Sequence, residues 1–159
     1  MSAWKEAIAQ WERCRTGTVG ELRALDPEYL DLHPAEGART ARELAVHIYQ
    51  AAGRYLERFE PAGASSPASP EIPPAATADE ISLALMEDWA SSLKPRLERL
   101  EDRADVAMDG FFGRQSLLSH IWLAVAHEWY HRGQLATYVR LSGRVPALTQ
   151  LIEQTRARR

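Results

Sequence analysis

The stretch QSLLSHIWLAVAHEWYHRGQLATYVRLSG, from Gln115 to Gly143, constrains this chain more than any other. Its apolar residues recur with the period of an α-helix and the run has a matched stop. Gly143 supplies a helix C-cap and Pro146 keeps the helix from resuming. At ~100° per residue, His127 and His131 lie one turn apart, on one stripe with His120, Ala124, Leu135 and Tyr138. The histidines therefore face inward. Two imidazoles at i and i+4 are close enough to share one metal ion, whose nitrogen ligands sit ~2.0–2.1 Å from it; equally, each can be a core residue satisfied by hydrogen bonds. The reverse side of the same segment carries a second apolar stripe of Leu118, Trp122, Val125, Trp129 and Ala136. A helix apolar on both sides is buried on both sides. A lone bundle would leave this stripe exposed, so a homodimer with Trp122 and Trp129 in its interface is expected; packing by the C-terminal segment is the alternative.

The remaining chain supplies elements that pack against this one. Residues from about 3 to 25 carry Trp4, Ile8, Trp11, Leu22 and Leu25 at helical spacing, interrupted by Gly17 and Gly20. Asp26 to Arg39, with two prolines and a glycine, is a connection that contains His33. Thr40 and Glu43 form a capping box for a second helix, which runs to about Phe59. Its inward stripe is Leu44, His47, Ile48, Ala51, Tyr55 and Phe59, so His47 takes a position where most helices place an apolar residue. Five prolines between Glu60 and Thr77 make residues 60–77 a linker between helices two and three. A second capping box, Thr77 with Glu80, opens a third helix with the stripe Ile81, Leu85, Trp89, Leu93, Leu97 and Leu100, in which Pro95 predicts a kink or break. Asp102 to Gly113 reads as a turn region. Ala147 to about Thr155 forms one more short helix. No stretch alternates convincingly with period two. The expectation is an all-α, four-helix bundle with a short C-terminal helix, in one domain spanning 1–159.

Composition removes several function classes. A net charge of −3 and a pI near 6.0 argue against a polyanion-binding surface, so no nucleic-acid partner is expected, and Arg156, Arg158 and Arg159 read as a solvated end. The single cysteine, Cys14, excludes an intramolecular disulfide and fits a reducing compartment; it reads as a buried, inert thiol. Neither a signal-like N-terminus nor an apolar run of ~20 residues is present, which points to a cytoplasmic protein without a membrane partner.

With His47, the histidines become a three-residue set from two helices. Three protein ligands leave a coordination position open for water or substrate. The segment RELAVHIYQ in the second helix, followed by HEWYHRGQLATYVRLSG in the fourth with a proline shortly after, resembles the DinB/YfiT-like superfamily of metal-binding four-helix bundles. The resemblance covers nearly the whole chain and carries the metal triad onto His47, His127 and His131. It implies a divalent ion and, for some relatives, transfer of a low-molecular-weight thiol or thiol-dependent isomerisation. The isomerase-like relatives often carry a further C-terminal domain that this chain lacks. A stress-response bundle whose ion only stabilises the fold is the non-catalytic alternative.

HEWYH also satisfies the H-E-x-x-H pattern of zinc hydrolases, with Glu128 in the place of the general base. The extended form fails because position 134 is Gln, and the sequence offers no strand to present a substrate. Glu153 is a possible third ligand in that reading, though His47 is the simpler choice. Glu128 keeps a chemical claim of its own, as a base for metal-bound water or a carboxylate orienting a ligand, against the bland alternative of a helix carboxylate near Arg132. His120, two turns before His127, reads as a core residue or one that orients a ligand, and Gln134 and Tyr138 as cavity lining. Three imidazoles suit zinc, nickel and iron alike. The expected activity is attack by a bound thiol or water on a small electrophile.

Overall fold

The computed structural model describes residues 1–61 and 71–158. Four long helical segments form the bundle, in the order and at the places that the apolar stripes predict. The first, α1 (Ala3–Ala24), is capped by Ser2, whose hydroxyl accepts from the Lys5 amide. It runs unbroken across Gly17 and Gly20. Both glycines lie at close contacts: a Cβ at Gly17 would stand 2.3 Å from the Arg132 guanidinium carbon, and one at Gly20 would stand 3.0 Å from Ala147. Helix α2 (Ala41–Glu57) and helix α3 (Ala78–Asp88) both open with complete capping boxes, Thr40 with Glu43 and Thr77 with Glu80.

The third helical segment does not break at Pro95. It passes from α3 through a π-helical turn, Trp89–Leu93, into α4 (Lys94–Arg99). Pro95 has no amide hydrogen and its ring crowds the preceding turn. Widening that turn, with the Lys94 amide bonded to the Trp89 carbonyl, relieves the conflict while the axis continues.

The turn region expected over 102–113 needs correction, as does the absence of strands. A 3-10 turn, Glu101–Arg103, leads into an antiparallel hairpin of β1 (Ala107–Gly110) and β2 (Gly113–Ser116), paired from Ala107–Ser116 to Gly110–Gly113. Four-residue strands are too short to show a readable period, and neither is deeply buried. The long histidine helix, α5 (Leu117–Leu141), starts with the first apolar residue of the 115–143 stretch, and Ser116 is its N-cap. Its end is as expected. Gly143 has φ +76°, the Gly143 amide bonds Arg140 and the Arg144 amide bonds Val139, which is a Schellman stop. Helix α6 (Ala147–Ala157) follows and packs on α1, with the Glu21 carboxylate accepting from the first amides of α6.

Both α1 and α2 pack chiefly against α3 and α5. The core falls into two apolar halves. One gathers Trp4, Trp11, Leu56, Phe59, Trp89 and Ile121; the other gathers Leu22, Leu44, Ile48, Ile81, Leu85 and Leu135. A polar layer of Arg15, Thr18, Glu128 and Arg132 separates the two, all four side chains buried. It lies at the level of His127 and His131.

Candidate metal centre

His47 on α2 and His127 and His131 on α5 converge. Their ligand-capable nitrogens all lie within 4.8 Å of one another. The Nε2 atom of His127 is 3.2 Å from that of His47 and 3.1 Å from that of His131. Nitrogens each ~2.0–2.1 Å from a tetrahedral ion stand about 3.3 Å apart, so these spacings fit a divalent ion with little movement. The donor set fits as well. Burial, followed by the Arg39 guanidinium, the other two imidazoles and Arg54, pushes His47 down to about 4. His127 is also lowered, first by burial and then by His131. Neutral imidazole is the form that ligates a metal.

A neighbouring side chain orients one of the three rings. Gln134 Oε1 lies 2.7 Å from His131 Nδ1, a hydrogen bond that orients the ring and leaves Nε2 facing His127. The Gln134 amide in turn donates to Tyr130 Oη at 3.3 Å. One turn along the helix from His131 at i+3, Gln134 was readable as cavity lining; its contact with the ring is the added finding.

Glu128 lies beside a ligand in sequence but turns its carboxylate towards α1. It accepts from Trp11 Nε1 at 2.8 Å, from Thr18 Oγ1 at 3.0 Å and from the Arg15 guanidinium, whose Nε is 2.9 Å from Oε1. The expected neighbour, Arg132, instead reaches towards Glu21 at 3.9 Å and lies over the Trp129 ring. Sequence reasoning missed Arg15. The signal was present, because Trp11, Arg15 and Thr18 share one face of α1 and put three donors on an otherwise apolar stripe.

The other histidines separate from the centre. His120 is fully buried, stacks on Phe59 at 4.9 Å and bonds the Met108 carbonyl at 3.0 Å, tying the hairpin to the bundle. His33 is exposed and bonds the Ala38 carbonyl within its own loop. Tyr138 is buried and donates to the Arg39 carbonyl. Glu153 lies on α6 and is exposed.

His47 and His127 form part of the wall of a cavity of about 680 Å³, which gives the centre an open side. Trp11, Tyr55, Phe111, Phe112 and Tyr130 supply most of its aromatic surface, and Arg54 and Arg58 stand on its α2 wall. The site can therefore hold an ion with a vacant direction facing a mostly apolar chamber. Among the described residues, no helix is long and apolar enough to cross a membrane.

Comparison with known proteins bears on the same features. None of the curated proteins matches the chain. Among solved structures, a DinB-like protein from Bacillus cereus is similar with a TM-score of 0.71 and 21% identity, over 89% of this chain and 94% of that one. A DinB-like protein from Bacillus subtilis is similar with a TM-score of 0.65 and 19% identity, over 87% and 92% of the two chains. Those similarities establish the shared fold. The DinB family model matches residues 1–158, so the chain belongs to the DinB family.

Proposed function

We propose that the protein is a metal-dependent enzyme in which a divalent ion held by His47, His127 and His131 activates a low-molecular-weight thiol, or water, for attack on a small electrophile. The observation that carries this reading is the convergence of three imidazoles, two of which, His47 and His127, stand on the wall of a large cavity. A bound ion would supply Lewis acidity, lowering the pKa of a thiol or water in the open position. The chain's own residues do the rest. Gln134 holds the His131 ring, the aromatic walls exclude water, and the cavity positions the electrophile.

Glu128 serves here as a positioning residue. Its carboxylate already holds the Trp11, Thr18 and Arg15 donors, which ties α5 to α1 one residue from His127. Both of its oxygens are taken up by donors on α1, and this weighs against the H-E-x-x-H hydrolase reading. The apolar face of α5 supports a further part of the proposal, a homodimer: Trp122 and Trp129 remain 39% and 42% exposed, and α6 packs on α1 without covering them. Turnover of a thiol with an electrophile, measured in wild type and His131→Ala with both folded, tests the enzymatic reading. Activity lost in the variant supports it; a folded variant with wild-type turnover rejects it.

A further inference from the structure

The cavity beside the histidines has a charge and a shape that the metal does not account for. Its lining includes three charged side chains, Arg54, Arg58 and Glu128. Glu128 is neutralised by Arg15. Neither Arg54 nor Arg58 has a carboxylate partner among the described residues: Arg58 donates only to the Asp109 carbonyl, and the Asp109 carboxylate pairs with Arg114. The cavity thus carries two uncompensated guanidinium groups on one wall. Opposite the bundle, the hairpin tip presents Phe111 and Phe112 in edge-to-face contact at 5.0 Å, 81% and 62% exposed. Two adjacent aromatic rings left in water at a cavity mouth are costly unless a ligand covers them. The Arg58–Asp109 bond holds that tip against α2.

We propose that this cavity binds an aromatic carboxylic acid, its ring system between Phe112 and Tyr55 and its carboxylate on Arg54. Arg54 stands seven residues beyond His47 on the same helix, about 10 Å along the axis. A ligand held by its acid group at Arg54 therefore extends its opposite end towards His47 and His127. Only the statement that this opposite end is the reacting electrophile rests on the proposed function; binding does not. A guanidinium can grip a carboxylate through two parallel hydrogen bonds, which an amide cannot reproduce.

Calorimetric titration of the full chain with 2-naphthoate and with neutral 2-naphthamide tests this, on protein stripped of metal by chelation and on protein loaded with zinc. The acid is expected to bind about five- to tenfold more tightly than the amide in both states. Arg54→Gln should erase that preference, Arg54→Lys should keep part of it, and Phe112→Ala should weaken both ligands alike. Arg54 and Phe112 are exposed, so these variants keep the fold. Equal affinities for acid and amide, or a preference that survives Arg54→Gln, would overturn the proposal. A preference seen only with zinc and lost in His131→Ala would place the carboxylate on the metal and also overturn it. If zinc fails to bind while the preference persists, the metal reading fails and this one stands.

Discussion

At the residue scale, the centre depends on side chains that hold others in place. Gln134 orients the His131 ring through Nδ1, so Gln134→Ala should weaken metal affinity about 10–100-fold without unfolding, as read by competition against a chelator. Unchanged affinity would mean that packing alone orients the ring. Glu128→Ala leaves the Arg15 guanidinium buried without its partner, at a cost of about 3–5 kcal/mol. For a chain of this size that corresponds to a fall of roughly 6–20 °C in Tm; a fall under 2 °C would show that water reaches the pair. Cys14 lies in the same layer, and burial followed by the Glu128 charge pushes its thiol up to about 12. The native thiol therefore keeps its proton where an unfolded one, near 8.5, has lost it. Alkylation by iodoacetamide at pH 8 should be negligible in native protein and fast in denaturant. The associated stability is complete below about pH 8.5 and is lost as pH rises towards 12. The convergence of the three histidines was legible because each occupies an apolar stripe where a polar residue is out of place. The Glu128 partner was harder to read, since its only signal, the donors on the α1 stripe, lies more than a hundred residues before HEWYH.

At the element scale, the capping boxes at Thr40 and Thr77 and the Gly143 stop were readable because they are local chemistry, completed within a few residues. The features that escaped depend on distant packing. The hairpin exists because His120 and Arg58 bind its backbone from two different helices. The π turn joins α3, whose Ile81 and Leu85 lie in one half of the core, to α4, whose Leu97 lies in the other, and burial at both ends favours a widened turn over a break at Pro95. The hairpin packs closely: a Cβ at Gly110 would stand 2.2 Å from the His120 ring. Gly110→Ala should therefore cost about 1–3 kcal/mol and loosen the Phe111–Phe112 tip. Thermal unfolding gives the first quantity and amide exchange over 107–116 the second. A variant with unchanged stability and exchange would show that His120 yields freely.

At the scale of the whole molecule, the bundle is two apolar halves joined through a polar layer, and the candidate metal centre lies at that layer's edge. This arrangement gives the three histidines rigid supports above and below while one side opens into the cavity. The exposed Trp122 and Trp129 lead to an expected association constant that sedimentation can measure. Wild type should form dimers at micromolar concentration, and Trp122→Glu combined with Trp129→Glu should be monomeric. A wild-type monomer throughout that range would reject the dimer and leave the tryptophans as surface residues.

Whether the three histidines act as one ligand set is tested most directly by metal content per chain. Elemental analysis of untagged wild type and His47→Ala, purified side by side, should give about one equivalent of zinc, nickel or iron in the first and a large loss in the second. No metal in either protein, even after incubation with divalent ions, would contradict the account and leave His47, His127 and His131 as polar residues of the bundle wall.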